Sequence, residues 1–367
     1  MKKYILPLII SLLLVTSCSK IPRKPSLDEM IGQMLMVGFY GMEATPDTKI
    51  VKAIKEYHLG GVILFDYNAG EKSHNRNIRD KEQLTNLVKQ LKSTSSTPLF
   101  VAIDQEGGLV SRLKEPYGFK KPRSAGAIGQ INNPDSTRAW GELISNQLNE
   151  TGINLNYAPV VDVAVNPDCP VIAKLHRSFS SDPLEVVEHS SILIDKHHDN
   201  GVLTAIKHFP GHGSSLSDSH NGFTDVTTTW SEKELIPFKE LIKADKLDMI
   251  MTAHIFNKNI DSDYPATLSE KTINGLLRDK LGWSGVVVSD GLYMKAIHKN
   301  YSLETTIEKA VNAGVDILLF ASPNADDNIS RDAFTTLKQL VKSGKVSKSR
   351  IEESYRRIMA LKERLPK

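Results

Sequence analysis

The stretch Val202-Leu-Thr-Ala-Ile-Lys-His-Phe-Pro-Gly-His-Gly-Ser-Ser-Leu-Ser-Asp-Ser-His220 decides how the chain is read. Val202, Leu203, Ala205 and Ile206 form an apolar run of strand length, so Lys207 and His208 fall where a buried strand ends. Pro210, Gly211 and Gly213 then exclude regular structure and force a long irregular loop. That loop carries His212, Asp218 and His220, more chemistry than a connector requires. Loops of this length inside a compact domain are usually functional or disordered, and the chemistry carried by this one favours function.

Two chemistries compete for these side chains. His208 and His212 are four apart, but Pro210 and Gly211 lie between them and exclude the helix that would put both on one face. No His-x-His pair ends the first strand either, so no metal is expected. The other reading centres on Asp218 and His220. Two apart on an extended backbone, they point the same way. The carboxylate can then fix the tautomer of the imidazole and stabilise its charged form, leaving the other nitrogen to move a proton. A surface loop whose aspartate caps local backbone would show the same spacing.

Outward from this stretch the chain alternates. Apolar runs at Met34–Val37, Val62–Phe65, Leu99–Ile103, Asn154–Val160, Val202–Ile206, Met249–Thr252, Val286–Val288 and Ile317–Phe320 read as strands buried on both faces. Amphipathic stretches of helical period lie between them: Lys49–Tyr57, Asp80–Ser93, Asp135–Thr151, Leu184–Asp199, Ser231–Ala244, Ser269–Leu281, Glu304–Ala313 and Arg331–Ser343. Lys348–Leu365 follows as a last helix. Eight alternations predict a single (β/α)8 barrel rather than a doubly wound sheet. No Gly-x-Gly-x-x-Gly follows the first strand, and no cofactor is expected.

A barrel concentrates chemistry where its strands end. Asp104 and Glu106, with Arg112 beyond, follow the third strand. Asp162 and then Arg177 follow the fourth, Lys207 and His208 the fifth, His254 the sixth, and Asp290 the seventh. Asp162 and Glu106 read best as helix caps or ion-pair partners. The ensemble describes a polar pocket suited to a sugar.

The chain has 367 residues and a net charge of +3, with lysines dispersed along helical stretches, so nucleic acid is not an expected partner. Residues 1–17 carry a basic start and an apolar run too short to span a bilayer, and read as a secretion signal. Cys18 after small residues resembles a bacterial lipobox, which implies a lipid-modified N-terminus. Residues 18–25 then form a tether and residues 26–367 the barrel domain. With Cys18 acylated, Cys169 has no partner for an internal disulfide. The expected setting is a lipid-anchored monomer in the cell envelope.

The residues also carry a resemblance. Ile103-Asp-Gln-Glu-Gly-Gly108, Asn156-Tyr-Ala-Pro-Val-Val-Asp-Val163, Arg177-Ser-Phe-Ser-Ser-Asp-Pro183, Lys207-His-Phe-Pro-Gly-His-Gly213 with Asp218-Ser-His220, Met251-Thr-Ala-His-Ile255, Pro265-Ala-Thr-Leu-Ser269 and Ser289-Asp290 follow one another as in the family 3 glycoside hydrolases. The chain is similar to the single-domain β-N-acetylglucosaminidases of that family. The resemblance implies Asp290 as nucleophile and His220 as general acid/base, polarised by Asp218. It implies that Asp104, Arg112, Arg177, Lys207 and His208 hold the hydroxyls and acetamide of the terminal sugar, with His254 bordering the pocket.

A retaining exo-β-N-acetylglucosaminidase acting on small oligosaccharides, peptidoglycan fragments among them, is the implied activity. A phosphorylase, a β-glucosidase and a non-catalytic sugar-binding lipoprotein are the alternatives. A substrate-assisted mechanism would want adjacent Asp-Glu at a strand end, whereas Asp28-Glu29 precedes the first strand. Leu109, Ser214-Ser215 and Gly291 depart from the usual family residues, and Gly291 is expected to loosen the backbone beside the nucleophile.

Overall fold

The computed structural model describes residues 23–68, 71–74, 76–218, 222, 224–321 and 328–366. The signal segment, Cys18 and His220 lie outside the described residues. All eight apolar runs become strands of one parallel sheet: Leu35–Gly38, Gly61–Leu64, Phe100–Ile103, Leu155–Asn156, Leu203–Phe209, Met249–Thr252, Val286–Val288 and Leu318–Phe320. Each lies beside its neighbour in sequence, as Val62 opposite Val101 and Met249 opposite Val286 illustrate. The first strand also pairs with the eighth, Leu35 opposite Leu318, a contact that an open doubly wound sheet does not make. A single bridge between Val288 and Ile317 links the seventh to the eighth, and the (β/α)8 barrel closes there. Every residue of these strands is buried, which is why the runs are continuous rather than alternating.

Two strands differ from the sequence reading. The fourth stops at Asn156 instead of reaching Val160, because Pro159 has no amide to give to a ladder. The Asn156 side chain replaces the lost ladder by bonding the amide and carbonyl of Gln105, at 3.0 and 3.1 Å. The fifth strand runs on to Phe209 through a register shift after Ile206, so Lys207 and His208 sit within it rather than beyond it. Helices Leu27–Gln33 and Ala125–Ile131 were not anticipated. The first starts on a capping box between Ser26 and Glu29, so that acidic pair serves a helix end. The glycines of the second dilute its apolar pattern, and a Cβ at Gly129 would collide with the Phe179 carbonyl.

The N-terminal end of the barrel is sealed by charge. Asp316, fully buried, accepts hydrogen bonds from Arg278, Arg350, Arg357, Ser354 and the Val287 amide. This cluster fastens the last helix, Lys348–Lys362, under the seventh and eighth strands. Lys362, 2% exposed, ends that helix and bonds Gln33 Oε1 at 2.6 Å and the Gly60 carbonyl at 2.8 Å.

Candidate active site

The opposite end, where the strands finish, encloses a cavity of about 760 Å³. Asp104, Arg112, Arg177, Lys207, His208, Asp218 and Asp290 all line it. The ends of four strands, the third, fourth, fifth and seventh, therefore meet in one place because parallel strands end at one level.

The floor is an ion network. Lys207 extends from the fifth strand and places Nζ 2.7 Å from Asp104 Oδ1 and 2.7 Å from Glu106 Oε1. Glu106 takes a bidentate pair of 2.8 Å bonds from the Arg177 guanidinium. Burial by itself would raise the Glu106 carboxyl, but Arg177 and Lys207 reverse that and hold it well below the usual range. Burial pulls Lys207 down, and Asp104 with Glu106 more than restores it, so it keeps its charge. Asp104 is the part of the network that reaches the open space, with its side chain 18% exposed and Arg112 3.6 Å away. Glu106 is thus an ion-pair partner, and what it fixes is the aim of two cavity-lining cations.

His208 is oriented from behind. Its Nδ1 lies 2.6 Å from Asp162 Oδ2, and Arg177 Nη2 lies 3.3 Å from its Nε2. A guanidinium only donates, so these partners assign the tautomer with the proton on Nδ1. The other Asp162 oxygen accepts the amides of His208 and His212. Asp162 is a buried acceptor despite burial's opposition, chiefly because His208 stands against it.

Asp290 follows the seventh strand and accepts the Gly291 amide at 2.7 Å. Gly291 does not loosen this corner: its carbonyl accepts from His254 Nε2 at 2.9 Å, so both backbone groups are engaged. A Cβ there would meet Met294 at 3.6 Å, an ordinary contact. His254 itself does not line the cavity. It is 1% exposed, with Nδ1 2.8 Å from Thr267 Oγ1, and it stands behind the wall as a support for the backbone beside Asp290. The expectation that it borders the pocket is corrected accordingly. Its strand-end position could not distinguish a wall from its backing.

Several cavity residues escaped the sequence reading. Tyr157, fully buried, carries a hydroxyl pushed well above its ordinary pKa by burial and then by the charges of Asp104 and Asp290. Asp66 follows the second strand and is held by Lys114 at 2.5 Å and His74 at 3.2 Å. Arg76 spreads its guanidinium over Phe65 at 4.5 Å and Tyr40 at 4.7 Å. The strand-end rule, applied to every strand, would have found Asp66, whereas Tyr157 lay inside the strand expected to run to Val160. Nothing local marks Arg76. Among the described residues, no group of three or more His, Cys, Asp and Glu side chains is arranged to hold a metal ion.

Fold and cavity together define a class: a (β/α)8 barrel with a carboxylate- and cation-lined pocket at its strand ends, where barrels carry out catalysis. The family follows from likeness. Residues 26–361 match the family described as glycosyl hydrolase family 3 N terminal domain, and the chain belongs to glycoside hydrolase family 3. It is 34% identical to beta-hexosaminidase A of Pseudoalteromonas piscicida over 92% of its own length and 61% of that protein's. It is 36% identical to a beta-hexosaminidase of Tolumonas auensis over 79% and 83% respectively.

Among solved structures, a family 3 beta-N-acetylglucosaminidase from Paenibacillus sp. superimposes with a TM-score of 0.85 at 35% identity, covering 93% of this chain and 63% of that one. A beta-N-acetylhexosaminidase from Beutenbergia cavernae does so at 0.82 and 30%, covering 93% and 99%. The chain thus spans less than two thirds of the Pseudoalteromonas and Paenibacillus proteins.

Proposed function

We propose that the protein is a retaining exo-β-N-acetylglucosaminidase that removes a terminal β-linked N-acetylglucosamine from small oligosaccharides. The observation that carries this reading is that Asp290, at a strand end, and Asp218, from the long loop, line one cavity above the Asp104–Lys207–Glu106–Arg177 network. The names of the relatives, hexosaminidases and N-acetylglucosaminidases, support the choice of sugar.

In this mechanism the Asp290 carboxylate attacks the anomeric carbon, and the bond to the leaving oxygen breaks as protonated His220 supplies its proton. Neutral His220 then takes a proton from water, whose oxygen displaces Asp290 from the same carbon and restores the carboxylate. Asp218 stabilises the imidazolium. Asp104, Arg112, Arg177 and His208 hold the sugar's hydroxyls and acetamide, and the ion pairs behind them keep those donors and acceptors in place before substrate arrives.

Lipid attachment at Cys18 would hold the enzyme in the cell envelope, which makes peptidoglycan fragments the natural substrate. Hydrolysis of 4-nitrophenyl N-acetyl-β-glucosaminide and of purified muropeptides tests the reading, with phosphate present and absent. Mass spectrometry after a 5-fluoro N-acetylglucosaminyl donor should find the sugar on Asp290. Labelling elsewhere, or turnover that requires phosphate, overturns the assignment. Metabolic labelling with a lipid precursor, lost in Cys18→Ala, tests the anchor.

A further inference from the structure

The residues that lead from the fifth strand to Asp218 are gripped by two buried carboxylates. Asp162 Oδ1 accepts the amide of His212 at 2.8 Å. Glu234, on the short helical turn Glu232–Leu235, accepts the next two with Oε2: Gly213 at 2.8 Å and Ser214 at 3.2 Å. Three consecutive amides are thereby fixed, and Trp230 Nε1 holds the carbonyl of Pro210 at 3.1 Å. Contact is too close for side chains here: a Cβ on Gly211 would lie 2.5 Å from Glu234 Cβ, and one on Gly213 would lie 1.8 Å from the Val163 carbonyl.

Beyond Ser214 the chain changes character. Leu216 is 68% exposed, and Asp218 then returns to the cavity. Thr224–Asp225 ends the excursion by pairing with Ile255–Phe256.

Glu234 is an odd choice for a bracket. It is fully buried, no cation pairs with it among the described residues, and its second oxygen is buried without a hydrogen-bond partner. Burial pushes its pKa up to about 7 against the pull of the Ser214 hydroxyl and of the two amides. Asp162 adds a negative charge that raises it further, and His212, next to Gly213 in sequence, brings no compensating charge near neutrality because burial lowers its pKa to about 4. A carboxyl group left in so unfavourable a place points to a demand for a side-chain oxygen acceptor that an apolar residue does not meet.

We propose that Glu234 is a positioning residue for proton transfer: by holding the amides of Gly213 and Ser214 it sets where the segment bearing Asp218 and His220 leaves the barrel. The inference rests on the reading of His220 as acid/base. Proton donation matters most for a poor leaving group, and a small misplacement of a catalytic group costs heavily. Loss of folded protein would instead lower all rates alike.

The test compares kcat/KM on N,N′-diacetylchitobiose with kcat/KM on 2,4-dinitrophenyl N-acetyl-β-glucosaminide, whose leaving group needs no proton. Glu234→Ala is expected to lose roughly 10- to 100-fold on the disaccharide and little on the aryl substrate. Glu234→Gln, which keeps an oxygen for both amides, should recover most of the loss. Glu234→Asp, one methylene shorter and charged, should show the same asymmetry in smaller measure, and it carries the test if the alanine variant does not fold. Equal losses on both substrates, or none, overturn the proposal. His220→Ala serves as the reference: if it shows no asymmetry, the acid/base reading itself fails. If it does and the Glu234 variants do not, only the positioning role falls.

Discussion

Two lysines, each 2% exposed, stand at opposite ends of this barrel and behave in opposite ways. Lys207, at the cavity end, touches two carboxylates, and its pKa is raised despite burial. Lys362, at the sealed end, touches an amide oxygen, a backbone carbonyl and the face of Phe100, with no carboxylate against it among the described residues, and burial pushes its pKa down to about 7. Equal burial costs both the charged form, so the partners decide the outcome. At the sealed end the carboxylate is Asp316, spent on three arginines and the chain's own backbone and hydroxyl donors. At the cavity end Asp104, Arg112 and Asp290 keep part of their surface for a ligand. One end holds the fold together and the other is kept for chemistry.

The largest effect belongs to the cavity end. Asp290→Ala should reduce kcat on an N-acetylglucosaminide by on the order of 10⁴-fold or more while leaving the melting temperature near that of the parent. Steady-state assays and a thermal scan together check this, and substantial residual turnover would remove Asp290 from its role.

Next comes Lys207→Met, which strands Asp104 and Glu106 beside each other without their shared cation. The cost should be about 3–5 kcal/mol in urea unfolding at neutral pH. The folded pKa of Lys207 is raised, so its contribution is fully present below the ordinary lysine value and is lost only as pH climbs beyond it. A loss already visible between neutrality and that range would contradict the network.

Arg177→Lys sharpens the comparison further, because an ammonium cannot reproduce the bidentate grip on Glu106. A lost charge-assisted bond is worth about 1.5–3 kcal/mol, so kcat/KM should fall about 10- to 150-fold. An unchanged kcat/KM would mean that the guanidinium geometry is not used.

Per unit of pH, the smallest change is expected at the sealed end. Lys362 titrates at about 7 when folded and, when unfolded, near the ordinary lysine value of roughly 10.4. Between those values the unfolded chain binds more protons, so stability should rise with pH by about 1.4 kcal/mol per unit, and flatten below the lower one. Lys362→Met should remove that rise. Unfolding free energies measured across this window give the slope directly, and an identical slope in the variant would show that Lys362 keeps its charge.

Much of this was legible beforehand. Continuous apolar runs such as Val286–Val288 announced strands buried on both faces, and eight of them with helical stretches between announced the barrel. The strand-end rule collected Asp104, Arg177, Lys207, His208 and Asp290, and all five line one cavity. It erred on His254, whose ring turns away to Thr267 and Gly291, because a strand end fixes where a backbone stops and not which way a side chain leaves it. It also passed over Asp66, although that residue follows a strand, and it missed Tyr157 because the fourth strand was expected to run on to Val160. Glu234 sat inside Ser231–Ala244, read only as an amphipathic helical stretch, and proved fully buried under the loop.

What the amino-acid order determined by itself was the sequence of elements and the residues gathered at their ends, since hydrophobic period and turn residues act over a few positions. Lys207 ends a predicted strand and Lys362 lies in a predicted helix, but neither place says what its ammonium will meet. Only the folded chain decided that one meets carboxylates and the other carbonyls. Charge in a buried place is set by neighbours brought from far along the chain, and those neighbours exist only after the barrel has closed.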